Sequence, residues 1–102
     1  MEWHAFLAIL DLFAEHGIRL VVNEVEEAGF VYGHPLVRNK WRSMMRDHVQ
    51  PEVERRGFAY IRTNLDELSD DDYFDYNHMN SKGIGKYTPM LAQRLHELMA
   101  ER

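Results

Sequence analysis

IRLVV, residues 18–22, is a short run of mostly branched, apolar side chains. Nearly continuous rather than alternating apolarity is typical of a strand covered on both faces, as in a parallel sheet. A second run of this kind, FAYI at residues 58–61, follows Gly57. Residues 36–56 are long enough to form a helix that joins two parallel strands in the right-handed sense. These two strands predict an α/β fold.

Two helices are predicted before the second strand. Residues 2–16 carry apolar side chains at helical spacing around much of the circumference, and Gly17 is suited to a left-handed C-cap. Residues 36–56 form the next helix, in which Pro51 predicts a kink or a restart because proline lacks a backbone donor. Three large side chains of this helix are expected to pack in the core: Trp41, Met44 and Met45.

The last helix is predicted to begin near Lys82, capped by Asn80 or Ser81, and to restart at Thr88-Pro89. The order is therefore α-β-α-β-α in one domain, residues 1–102. It predicts a partial, flavodoxin-like three-layer αβα architecture with short parallel strands. Two such strands do not make a stable sheet alone. We expect the chain either to pair with another copy or to be the C-terminal part of a larger domain.

Composition excludes several classes of function. The net charge is -5 with histidines neutral, and no basic stripe is present, so a nucleic-acid partner is not expected. There are no cysteines, which excludes disulfides, thiolate metal sites and a cysteine nucleophile. Charged residues interrupt the apolar N-terminus, so we predict no signal peptide and no membrane span within this chain. No phosphate-binding glycine loop occurs, and we expect no cofactor.

The segment DYNHMNSKG, residues 75–83, places Asp75 three residues before His78 and just before a helix start. In this arrangement a carboxylate can hold the Nδ1 of the imidazole while Nε2 accepts a proton from a nucleophile. A pattern this short also occurs by chance. The alternative interpretation is an exposed loop histidine beside an acidic run.

The run FDYNHMNSKGIGKYTPMLAQRL, residues 74–95, resembles the last conserved block of the SGNH (GDSL-like) hydrolase superfamily. It is most similar to the branch that includes bacterial polysaccharide O-acetyltransferase and esterase relatives. In that block an Asp and a His three residues apart precede a helix start, a glycine and an amphipathic C-terminal helix. Asp75, His78, Asn80 and Gly83 stand at the matching positions. The preceding elements are similar to the C-terminal half of that fold.

The resemblance implies that His78 is a general base, that Asp75 orients it and that Asn80 caps the helix. It implies ester hydrolysis or acyl transfer on an ester or acylated carbohydrate, and an extracytoplasmic location. The family's nucleophilic serine and its oxyanion donors lie in earlier blocks that have no counterpart here. Three serines occur in this chain, and each has a more ordinary interpretation: Ser43 lies in mid-helix, Ser69 in an acidic loop and Ser81 at a cap.

Other polar residues carry weaker signals. The acidic run Asp70–Asp72 lacks the spacing of an EF-hand, so a solvated loop is favoured over a Ca²⁺ site. His34 and the acids Glu24, Glu26 and Glu27 follow the first strand, where ligands bind in open α/β sheets, but are expected to be ordinary surface groups. The helical histidines lack ligand spacing for zinc. A non-catalytic, oligomeric α/β domain that retains the motif without activity is the alternative to an acyl-transfer function.

Overall fold

The computed structural model of the chain describes residues 2–25, 28, 34–62, 68–75 and 78–100. Its elements are α1 (Trp3–Glu15), β1 (Val21–Glu24), α2 (Pro35–Met44), α3 (Gln50–Arg55), β2 (Ala59–Arg62) and α4 (Ser81–Ala100), with a π-helical turn at Met45–Val49 and a 3₁₀ turn at Asp70–Asp72. The chain is therefore α/β and mostly helical, as predicted. Glu26 and Glu27, which follow the first predicted strand, lie outside the described residues.

The two strands pair in parallel, which confirms the predicted sheet direction. Val21 is opposite Ala59 and Glu24 is opposite Arg62, so both strands end at the same edge. The first strand begins at Val21, three residues later than predicted. Gly17 adopts a φ of 68°, and the backbone N–H of Ile18 donates to Phe13 at 2.9 Å. This glycine is the left-handed C-cap expected from the sequence.

Helices lie against both faces of this sheet. Leu10 of α1, Val53 of α3 and Phe58 form a buried cluster, and the partly buried residues packed against it include Phe6, Phe13, Leu20, Val22 and Tyr60. Side chains alternate along a strand, so Val21 and Asn23 face the other way. On that side the amide of Asn23 donates to the hydroxyl of Tyr87 in α4. This second face is covered only in part, because Val21 remains 43% exposed.

The predicted helix at residues 36–56 is divided by the π-helical turn. Here the backbone N–H of Gln50 donates to the carbonyl of Met45, five residues earlier. Pro51 follows immediately, in the first turn of α3. Proline cannot supply the next donor and its ring crowds the preceding turn, so the backbone widens just before it. The predicted kink therefore takes the form of one wide turn.

The prediction that Trp41, Met44 and Met45 pack in the core is wrong. Trp41 and Met45 are half-buried, and Met44 is exposed. Met44 and Met45 instead line part of an open, mostly apolar cavity of about 630 Å³ between α1 and the π-helical turn. Its lining comprises Trp3, Phe6, Met44, Met45, His48 and Val49.

The predicted restart at Thr88-Pro89 is also wrong, since α4 continues through Pro89 as one helix of 20 residues. A proline inside a helix costs about 3 kcal/mol through one lost hydrogen bond and a local clash. A second helix start would leave several backbone donors without partners. Continuing the helix is the less costly solution.

Candidate active site

Asp75 and His78 are in contact, as the sequence predicted. The Nδ1 of His78 lies 3.0 Å from each carboxylate oxygen of Asp75. The backbone N–H of His78 also donates to Asp75 Oδ1, at 2.9 Å. One carboxylate thus holds both the ring and the main chain of the histidine. The side chains are 72% exposed for His78 and 47% exposed for Asp75, so the pair lies at the surface.

Residues 73–75 and 78–79, the described part of one loop, carry this pair. Tyr73 and Met79 make an isolated antiparallel bridge at the base of the loop. Just above it, the backbone N–H of Phe74 donates to the carbonyl of His78 at 2.7 Å. These bonds bring Asp75 and His78 to the same end of the loop. Asp75 therefore serves both to close the loop and to orient the imidazole, as an acid does in a catalytic triad.

Asn80 joins this loop to α4 and caps the helix. Its Oδ1 accepts from the backbone N–H of Gly83 at 3.0 Å, which is the usual N-cap interaction. Its amide nitrogen donates to the carbonyl of Asp71 at 2.7 Å. Its backbone N–H donates to the carbonyl of Asp72 at 2.9 Å. The capping role that the family resemblance implies for Asn80 is therefore present in this chain.

Asp72 is fully buried, and the prediction of a solvated acidic run is wrong for this residue. Its Oδ2 accepts from Lys86 Nζ at 2.8 Å and from the backbone N–H of Ser69 at 2.8 Å. Lys82 Nζ lies 3.9 Å from the other carboxylate oxygen. These partners, with Lys86 first, lower the pKa of Asp72 below its ordinary value. The signal in the sequence was the lysine pair four residues apart, which places both cations on one face of α4.

Gly83 allows α4 to approach Asp72 closely. A Cβ at this position would lie 3.1 Å from the Cβ of Asp72 and closer still to its carbonyl oxygen. The missing side chain is what permits this contact. Gly85 has open space around it.

A second polar cluster lies where both strands end. Glu24 is buried, accepts from the hydroxyl of Tyr60 and pairs with Arg62 Nε at 3.4 Å. Burial, followed by the Glu24 carboxylate, raises the pKa of Tyr60. The expectation that Glu24 is surface charge is wrong, because the cross-strand register places Arg62 directly opposite and the hydroxyl of Tyr60 within hydrogen-bonding reach.

The remaining candidates have structural roles. His34 Nδ1 accepts from the backbone N–H of Leu36 at 3.1 Å and caps α2. Ser43 accepts from Arg46, Ser69 starts the 3₁₀ turn, and Ser81 is the first residue of α4. Within the described ranges, no group of three acids or histidines is placed to hold a metal ion. The hydrogen bonds among these same residues include none to the Nε2 of His78.

Among the described helices, none combines the length and apolarity needed to cross a membrane. Comparisons with known proteins give no relative from which a function can be transferred. The chain matches no protein-family model, no curated protein and no solved structure.

Proposed function

We propose that this chain is the C-terminal part of a serine esterase or acyltransferase of SGNH type and supplies the Asp-His pair of its catalytic triad. The observation that supports the proposal best is the hydrogen bonding between Asp75 and the Nδ1 of His78. This contact engages Nδ1, so Nε2 is the ring nitrogen that would take the proton of a hydroxyl, and the His78 side chain is 72% exposed. A base held in one orientation by a carboxylate is what acyl transfer requires.

In the proposed reaction, the Nε2 of His78 removes the proton of a serine hydroxyl while the serine oxygen attacks the ester carbonyl. The tetrahedral intermediate then expels the alcohol, which takes the proton from His78. Asp75 stabilises the imidazolium that forms between these two transfers. Water or a sugar hydroxyl then attacks the acyl-enzyme with the same proton transfers, so the acceptor decides between hydrolysis and transfer.

The nucleophile and the oxyanion donors must come from outside these 102 residues. Ser43, Ser69 and Ser81 lie in helix or turn structure, and the hydrogen bonds of the described residues join none of them to the His78 imidazole. The two-stranded sheet agrees with this requirement, because parallel strands of this length need neighbours to be stable. We propose that further strands extend the sheet on either side of β1 and β2 and complete a flavodoxin-like, three-layer αβα fold. The proposed substrate is an ester or an acylated carbohydrate.

A serine-reactive phosphonate probe applied to the intact natural protein tests this proposal. We expect covalent labelling that His78→Ala abolishes and that His16→Ala leaves unchanged, since the ring of His16 is hydrogen-bonded to the carbonyl of Leu12 in α1. Absence of labelling, or equal labelling after His78→Ala, would contradict the proposal. The 102-residue chain alone should not hydrolyse simple aryl esters.

The alternative function is a non-catalytic, self-associating α/β domain. It is favoured by the apolar side chains that α1 leaves exposed, among them Trp3, Ile9 and Leu12. It is also favoured by the second role of Asp75, because a carboxylate that closes a loop needs no catalytic explanation. Under this alternative the phosphonate probe does not label the protein, and the Asp75–His78 contact is structural only.

A further inference from the structure

We propose that Asp72 is the positioning residue of the candidate active site and fixes the His78 loop relative to α4. The part of this inference that concerns catalysis rests on the proposed function. The part that concerns the position of the loop rests on the contacts of Asp72 alone. Asp72 is the residue that immediately precedes the loop at 73–79. It is 0% exposed, and it contacts the chain on both sides of that loop.

Asp72 fixes the start of the loop through the preceding turn. Its backbone N–H donates to the carbonyl of Ser69 at 3.0 Å, and its Oδ2 accepts from the backbone N–H of Ser69 at 2.8 Å. The first bond closes the 3₁₀ turn, and the second joins the carboxylate of Asp72 back to the residue at which the turn begins. The direction in which the chain enters the loop is therefore set by this residue.

Asp72 also fixes the end of the loop. Its carbonyl accepts from the backbone N–H of Asn80, the residue that caps α4. The same carbonyl lies against Gly83, where a side chain would collide with it. The entry and the exit of the loop are thus joined through one peptide unit, only a few residues from Asp75 and His78.

The carboxylate of Asp72 then ties this junction to the body of α4. Lys86 lies at 2.8 Å and Lys82 at 3.9 Å, on successive turns of the helix. Asp75 sets the orientation of the imidazole ring within the loop, whereas Asp72 sets the position of the loop relative to α4. A triad needs both, because an error of about 1 Å in the placement of a base costs on the order of 100-fold in rate.

Amide hydrogen exchange on the ¹⁵N-labelled chain tests this division of roles, with Asp72→Asn compared against Asp71→Asn. Both variants remove one charge from the same turn, but only the first removes the negative charge that pairs with Lys86. We expect Asp72→Asn to speed exchange at Phe74 and Asn80 by roughly tenfold, to shift the ¹⁵N resonances of the His78 ring and to leave the β2 amides unchanged. Asp71→Asn should change none of these.

Two results would overturn the proposal: exchange at Phe74 and Asn80 within about twofold of the wild type, or equal acceleration in the loop and in β2. The second result would mean that Asp72 supports the fold without a specific effect on the loop. If Asp72→Asn does not fold, Lys86→Met decides, since it removes one partner of the buried carboxylate from an accessible position. It should reproduce the selective loop effect, and its absence would equally reject the proposal.

These measurements do not depend on activity, so the two proposals can fail separately. A protein that never reacts with the phosphonate probe loses the acyl-transfer assignment, while the exchange pattern still shows whether Asp72 fixes the loop. In a protein that does react, Asp72→Asn should lower the maximal labelling rate and leave the probe concentration for half-maximal rate unchanged. Loss of probe affinity with an unchanged maximal rate would contradict a positioning role.

Discussion

The buried carboxylate of Asp72 makes stability depend on pH in the acid range. Its pKa is lowered from 3.8 in the folded protein, chiefly by Lys86 and then by the backbone N–H of Ser69. A group of this kind contributes its full stabilisation above the unfolded pKa and loses it as the pH falls through the lower folded value. The contribution should therefore be present at neutral pH, begin to fall near the unfolded pKa of 3.8 and be lost as the pH falls through the lower folded pKa.

Urea unfolding at pH 7 and at about pH 3 measures this effect. We expect Asp72→Asn to reduce the difference in the free energy of unfolding between the two conditions, and Asp71→Asn to leave it unchanged. Glu2 and Glu52 also have lowered pKa values, so part of the acid dependence should persist in every variant. An identical acid dependence in Asp72→Asn and the wild type would contradict the prediction.

Two glycines two residues apart on α4 should respond oppositely to the same substitution. Gly83→Ala places a methyl group against the backbone of Asp72 and should cost about 2–3 kcal/mol of unfolding free energy. Gly85→Ala meets open space and should stabilise the helix by about 0.5–1 kcal/mol through intrinsic propensity. Thermal or denaturant unfolding of the pair measures both values. A tolerated Gly83→Ala would mean that the close approach is not required.

At the scale of the element, the N-terminus of α4 depends on its capping residue. Asn80 satisfies the backbone donor of Gly83, one of the four that a helix start leaves unpaired. We expect Asn80→Ala to lower stability by about 1 kcal/mol. Ser81→Ala, one residue inside the helix, should be nearly neutral, and circular dichroism during denaturant unfolding compares the two. Equal losses for both variants would argue that the cap lies elsewhere.

The helices and strands show how much of the fold the sequence predicts. Periodicity and the breakers Gly17 and Gly57 located α1 and β2, and the nearly continuous apolarity of the strands predicted the parallel direction of the sheet. The ends of β1 were misplaced because Asn23 and Glu24 are polar, and only their partners Tyr87, Tyr60 and Arg62 make them suitable for a strand. The uninterrupted α4 was missed because local propensity at Pro89 does not include the cost of restarting a helix.

In the candidate site, the contact between residues close in sequence could be predicted, whereas the contacts between residues far apart in sequence could not. The three-residue spacing of Asp75 and His78 was sufficient to anticipate their contact, since both lie in one loop. The role of Asp72 depends on Lys86, 14 residues later, and on a helix direction that no local pattern specifies. The acidic composition of Asp70–Asp72 predicted a solvent-exposed run, although Asp72 is buried.

At the scale of the whole molecule, β1 and β2 pair only with each other within the described residues, and apolar side chains such as Ile9 and Leu12 remain exposed. Unpaired strand edges and exposed apolar side chains favour association with another chain. We expect the 102-residue chain to self-associate at micromolar concentration, measured by light scattering across a dilution series. A monodisperse monomer throughout the series would contradict this expectation.

The cavity between α1 and the π-helical turn has an optical consequence. Trp3 stands at this cavity, 40% exposed, and is stacked on Phe6 with 5.8 Å between ring centroids. Indole emission moves to shorter wavelength as water is removed from the ring. Whatever covers the cavity, another copy or a separate domain, should therefore produce a blue shift that Trp3→Phe removes. The fluorescence of Trp3 thus reports whether this apolar cavity is covered.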